Sequence, residues 1–116
     1  MKYMLLMYMN EADQPTTPEV LQAAGKAWAA FLKEGAETGA VLLSHGVAPG
    51  TNASTVCVRE GKTLIADGPF AETHEQLAGA VVVECPDIDE AIRWAAKIPQ
   101  AKYGAVEIVP LWSPPK

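Results

Sequence analysis

Asp67-Gly68-Pro69-Phe70 lies near the middle of the chain, and Ala71-Glu72-Thr73-His74-Glu75-Gln76-Leu77 follows at once. Asp-Gly before Pro reads as a turn, because Gly tolerates positive φ and Pro fixes its own φ near about −65°. The apolar run Leu64-Ile65-Ala66 precedes this turn, and a longer one, from Leu77 to Val83, follows it. Upstream, Glu60-Gly61 joins residues 55–59 to residues 62–66 and predicts a tight β-hairpin. The turn therefore gathers a dense cluster of polar and titratable groups between two predicted strands.

On the N-terminal side, residues 3–9 are rich in Met, Leu and Tyr without a breaker, which predicts a central strand apolar on both faces. Residues 10–17 form a loop containing Pro15. Thr16 or Thr17 then caps a helix with Pro18 in its first turn, and Thr16 and Glu19 have capping-box spacing. Val20, Leu21, Ala24, Trp28, Phe31 and Leu32 recur at helical spacing and predict its buried stripe, which runs to about Thr38 before Gly39. Gly25 and Gly35 each weaken that helix by roughly 1 kcal/mol relative to Ala, and a helical Gly also permits close backbone approach. Residues 40–47 form the next strand.

On the C-terminal side, residues 77–84 form a strand with a Val-Val-Val centre, ended by Pro86. Asp87 and Glu90 give a second capping-box pattern. Ile88, Ala91, Ile92, Ala95 and Ile98 predict the buried stripe of a second helix, which Pro99 stops. Residues 105–111 form the last strand. The order strand, helix, strand, hairpin, strand, helix, strand predicts a single α+β domain over residues 1–116: a ferredoxin-like antiparallel sheet with two helices on one face and a β-hairpin insertion. The second sheet face is left apolar and open, which predicts a homodimer closed over it.

Composition bounds the function. An apolar fraction of 49% with 20% charged residues marks a folded chain. The net charge of −5 lacks the basic face that nucleic acid or an anionic membrane would need. No run reaches the ~18 apolar residues of a membrane span. Residues 1–9 are apolar, but Asn10, Glu11 and Asp13 follow at once without a small-residue cleavage pattern, so the expected location is cytoplasmic. Cys57 and Cys85 have neither CxxC spacing nor accompanying His ligands, so no metal site is expected, and both are expected to be buried. There is no G-x-G-x-x-G, Walker or G-x-S-x-G pattern, and no cofactor is expected.

The motif Asp67-Gly68-Pro69-Phe70-Ala71-Glu72-Thr73, with Glu75-Gln76-Leu77 and Gly79, resembles the DGPF branch of the YCII-related family. Met1-Lys2-Tyr3-Met4-Leu5-Leu6 and the stretch from Pro86-Asp87-Ile88-Asp89-Glu90-Ala91 to Tyr103-Gly104-Ala105-Val106-Glu107-Ile108 extend the likeness to nearly the whole chain. The resemblance implies a dimeric α+β barrel of two ferredoxin-like protomers, and a functional link to a sigma factor. Another branch of the family carries a His early in the first helix and an Asp near the end of the second, which hint at enzymatic activity. Residues 18–38 contain no His, and Ile98-Pro99-Gln100-Ala101 stands where the Asp would be, so the dyad does not carry over. The DGPF branch often has Lys at the position of His74.

The candidate catalytic groups are Asp67, His74 and His45. Asp67 at a turn head most often accepts backbone N–H bonds, and otherwise offers a carboxylate to a cleft. His74-Glu75 lacks the second His of a metalloprotease helix. His45 stands at a strand end, and an imidazole is a side chain suited to proton transfer. Phe70, Glu72, Tyr8 and Tyr103 are the candidate ligand-binding residues. Two readings follow. In the first, a homodimer binds a small organic ligand beneath the turn at residues 67–70. In the second, an enzyme without a cofactor carries out acid–base chemistry on a small organic substrate, with Asp67 or a His as base.

Overall fold

The computed structural model describes residues 1–48, 52–70 and 75–113. Six strands and two helices follow in order: β1 (Lys2–Met9), α1 (Pro18–Thr38), β2 (Val41–Gly46), β3 (Ser54–Arg59), β4 (Lys62–Asp67), β5 (Gln76–Glu84), α2 (Ile88–Ala96) and β6 (Ala105–Pro110). β2, β5, β1 and β6 form one antiparallel sheet in that order, with β1 and β5 at its centre. The fold is α+β, with two helices against an antiparallel sheet, and the strand order is that of the ferredoxin-like arrangement.

The helix ends follow local chemistry. Pro18 begins α1 with its φ already helical, and Gly39 ends it in the left-handed region at φ 72°, donating its N–H to the Ala36 carbonyl. Thr17 takes the N-cap position without a side-chain bond, so the capping box expected of Thr16 and Glu19 is not formed. In α2 the expected cap is present: the Asp87 carboxylate accepts the Glu90 N–H at 3.0 Å. Asp89 and Glu90 in its first turn and Arg93 in its last complement the helix dipole. Ile98 lies beyond α2, where Pro99–Lys102 forms a 3₁₀ turn.

The core lies between the helices and one sheet face. Tyr3, Leu5 and Met7 alternate inward from β1, and register pairs them with Val83, Val81 and Gly79 of β5. Phe31, Trp94, Ala91, Ala95 and Ile98 pack onto this layer. Phe31 meets Trp28 and Trp94 edge-to-face, with centroids 5.4 and 5.6 Å apart. Such pairs contribute about 0.5–1.5 kcal/mol each beyond their burial. The predicted stripes are wider than the buried ones. Leu21 and Leu32 of α1 and Ile88 and Ile92 of α2 are exposed, because each helix meets the sheet along a narrow strip centred on Phe31 and Trp94.

β3 and β4 form a separate two-stranded sheet that contacts no other element more than marginally. Its turn, Glu60-Gly61, has positive φ at both residues, as a two-residue hairpin matched to strand twist requires. The hairpin makes the molecule broad. Its radius of gyration is 16.3 Å, against about 13 Å for a compact chain of this length. Cys57 sits here and is half-buried rather than buried as expected, whereas Cys85, at the end of β5, is buried.

Candidate functional site

Among the described residues, no element forms a layer over the sheet's second face. Register across β2, β5, β1 and β6 places His45, Ala80, Leu6 and Glu107 in one row, and Leu43, Val82, Met4 and Val109 in the next. Tyr8 stands on the same face opposite Leu77 and Ala105, with its hydroxyl 3.5 Å from Glu107 Oε1. His45 and Glu107 occupy opposite edge strands, three strand spacings or about 14 Å apart, so they form no pair within one chain.

Asp67 ends β4 opposite Ser54 and is exposed. Among the described residues its carboxylate accepts no hydrogen bond. The turn is held from the other strand instead: Thr55 Oγ1 donates to the Gly68 carbonyl at 2.9 Å, and Gly68 N–H donates to the Ala53 carbonyl. Gly68 has φ 97°, which a side chain would resist. Phe70 is 85% exposed. Asp67 and His45 belong to separate sheets that make only marginal contact. Glu72 and His74 lie outside the described residues.

Four cavities lie among the described residues. A groove of about 490 Å³ runs between α1 and the segment after α2, walled by Ala27, Ala30, Phe31, Ile98 and Pro99. A smaller cavity of about 200 Å³ adjoins it through Ala24, Pro99 and Tyr103, and is walled by Met9, Leu21 and Trp28. A third, of about 180 Å³, lies where β1 ends, between Met9, Val47, Gln76 and Leu77. Another, of about 370 Å³, lies at the opposite end beside Met1, Lys2 and Leu111. These four cavities are lined by none of Asp67, Phe70, His45 or Tyr8; Tyr103 lines two.

Polar groups in the helical-layer groove are few. At its rim, Lys97 Nζ donates to Glu34 Oε1 at 2.6 Å and rides 4.6 Å from the Trp94 ring centroid. Gln100, in the wall of the smaller cavity, has a buried side-chain oxygen that finds no partner among the described residues, a costly state that water or a donor would relieve. No group of three His, Cys, Asp or Glu among the described residues could hold a metal ion. Burial pushes the Cys85 thiol above its ordinary pKa, partly opposed by its hydrogen bond to the Asp87 carbonyl.

The chain belongs to the YCII-related domain family. The family model matches residues 1–113. The YCII-related chain is also 42% identical over 65 residues to an uncharacterized protein of Rhizobium meliloti (strain 1021). That match covers 54% of this chain and 52% of the relative, so it spans about half the length of each. Neither comparison names a substrate.

Among the described residues, the Asp67–Phe70 motif lines none of these four cavities of the YCII-related chain. The Asp67–Phe70 motif sets the base of a projecting hairpin, whereas the groove is built from small residues. Ala23, Ala27 and Ala30 recur about once per turn on α1, opposite Pro99 and Tyr103. That small-residue face was the available sequence signal, and it was overshadowed by the larger side chains of the neighbouring stripe.

Proposed function

We propose that this YCII-related protein works as a homodimer that binds a small organic molecule, with the open sheet faces of two protomers packed together as a dimeric α+β barrel. The observation that carries the dimer is the uncovered face itself, where two cross-strand rows and Tyr8 place seven apolar or aromatic side chains side by side. Contiguous apolar surface of that kind marks an interface more often than free solvent contact. The ligand site we assign to the cleft shared by the two adjoining cavities. Its walls are mostly apolar, its volume suits a small molecule, and Glu34, Lys97, Lys102, Gln100 and Tyr103 supply polar groups.

The test has two arms. Light scattering should give about twice the 12.4 kDa chain mass, and Leu6→Arg, in the centre of the face, should return the protein to one chain mass with its circular dichroism intact. NMR titration with a fragment library should shift Trp28, Gln100 and Tyr103 together; shifts scattered over the surface would defeat the ligand reading. Two unpaired cysteines and the absence, among the described residues, of a helix long and apolar enough to cross a membrane support a cytoplasmic site of action. A link to sigma-factor regulation rests on the family resemblance alone, and co-purification with such a factor would test it.

A further inference from the structure

We propose that the β3–β4 hairpin is an arm that packs on a second copy of this chain, a proposal that rests on the dimer reading above. Register places Val56 opposite Ile65 and Val58 opposite Thr63 on one side of the hairpin, with Cys57 opposite Leu64 on the other. Val56, Val58 and Ile65 are 58–71% exposed, although all three are β-branched residues suited to a packed sheet face. A lone two-stranded hairpin is marginally stable in water, and among the described residues this one finds no layer on its own protomer.

Charge points to a second copy as the occupant. Residues 52–70 contain Arg59, Lys62, Glu60 and Asp67 and are neutral, so the rest of the chain carries the whole net charge of −5. Arg59 and Lys62 face each other across the last rung of the ladder, a like-charge pair that is unfavourable alone. Among the described residues neither forms an ion pair; the Arg59 guanidinium reaches only the carbonyl of its neighbour Val58. A cationic tip on a neutral arm suits the acidic body of another protomer, and that body would repel a polyanion.

Area points the same way. A sheet face four strands wide and about six residues long covers roughly 400 Å², at ~4.8 Å between strands and ~3.4 Å per residue. That is about half of the ~800 Å² that each partner buries in a standard stable interface. One hairpin face adds roughly 200 Å² by the same geometry. The surface beneath the partner's arm adds a similar area, bringing the patch to the standard size. The arm leaves the sheet between Gly46 of β2 and Gln76 of β5, at the end where β1 terminates, so it stands at the rim of the proposed interface.

Isotope-filtered NMR on a dimer of one methyl-labelled and one unlabelled chain tests this directly. The expected result is intermolecular contacts from the methyl groups of Val56, Val58 and Ile65. A dimer whose hairpin methyl groups contact only their own chain, or none, would overturn the arm while leaving the sheet-face dimer standing. A Val56→Ser, Ile65→Ser variant replaces side chains already exposed in the protomer, so its fold, checked by circular dichroism, should hold. Its dimer Kd should rise about tenfold or more. An unchanged Kd would overturn the arm alone, whereas a wild-type protein that stays monomeric at every concentration would overturn both readings.

Discussion

Gly25 and Gly35 sit in the same helix and carry the same intrinsic penalty, yet their replacement by Ala should change stability in opposite directions. At Gly25 a Cβ would meet nothing within 4 Å, so Ala removes only the backbone entropy cost of Gly, gaining about 0.5–1 kcal/mol. At Gly35 a Cβ would lie 2.7 Å from the Val41 Cβ and closer still to one of its methyl groups. Val41 begins β2, where register holds it against Val83, so the clash cannot be relieved by a side-chain rotation alone. Overpacking of this kind costs about 1–3 kcal/mol, from which the helix-propensity gain of up to about 1 kcal/mol must be subtracted. The net loss is then on the order of 1–2 kcal/mol. At about 4 °C per kcal/mol for a chain of this size, Gly25→Ala should raise Tm by roughly 2–4 °C and Gly35→Ala should lower it by roughly 4–8 °C. The melts must be run at one protein concentration, since dimerisation would make Tm concentration-dependent. Adding Val41→Ala to Gly35→Ala should recover part of the loss, a coupling that a double-mutant cycle reads directly. Equal shifts of the two glycine variants, or a stabilised Gly35→Ala, would refute the close-approach argument.

The other predictions concern single contacts. Asp87→Ala should cost about 0.5–2 kcal/mol in urea unfolding, because it leaves the Glu90 N–H uncapped, and Asp87→Asn should keep most of the stability. Thr55→Ala removes the donor to the Gly68 carbonyl and should cost about 0.5–1.5 kcal/mol, with faster amide exchange at the hairpin base. Asp67→Ala, whose carboxylate accepts nothing from the described residues, should stay within about 0.5 kcal/mol. A thiol reagent should modify half-buried Cys57 well before buried Cys85. The Cys85 thiol is held above its ordinary pKa of 9.0 in the fold, so above pH 9.0 the unfolded chain releases that proton first. Stability should therefore fall as pH rises through that window, and Cys85→Ala should flatten the slope.

The layout of the fold was legible because each element carried its own punctuation. Pro18 and Gly39 bracket α1, Asp87 caps α2, and Glu60-Gly61 closes the hairpin, all at the positions the sequence indicates. Burial was less legible. Helical spacing groups Leu21 with Phe31 and Ile92 with Ala91 and Ala95, but it does not say how much of a stripe the sheet can reach; the structure buries Phe31, Ala91 and Ala95 and leaves Leu21 and Ile92 exposed. The candidate site was least legible. Titratable residues in a turn carry a chemical signal, whereas Ala23, Ala27 and Ala30, which line the groove beside α1, carry none of their own. Glu72 and His74 lie beyond what the described residues report.

The strand β1 shows what such a reading measures. Its apolar run on both faces predicts burial on both, yet in the single chain Tyr3, Leu5 and Met7 are buried while Met4, Leu6 and Tyr8 are only half-buried. Exposed Leu21, Leu32 and Ile88 need no explanation, since isolated apolar side chains are ordinary on a protein surface. Met4 and Leu6 differ in having apolar neighbours along the same rows: Val82 and Val109 beside Met4, with Leu43 beyond Val82, and Ala80 beside Leu6. The pattern of β1 is that of a strand inside two layers, and one chain supplies only one of them. A second copy is the economical source of the other, because two identical apolar faces of equal size match by symmetry. Leu6→Arg is accordingly the sharper test than any substitution on the helices. It places a charge at the centre of the face, where the proposed dimer should come apart, while Leu32→Arg on α1 should leave any such dimer intact.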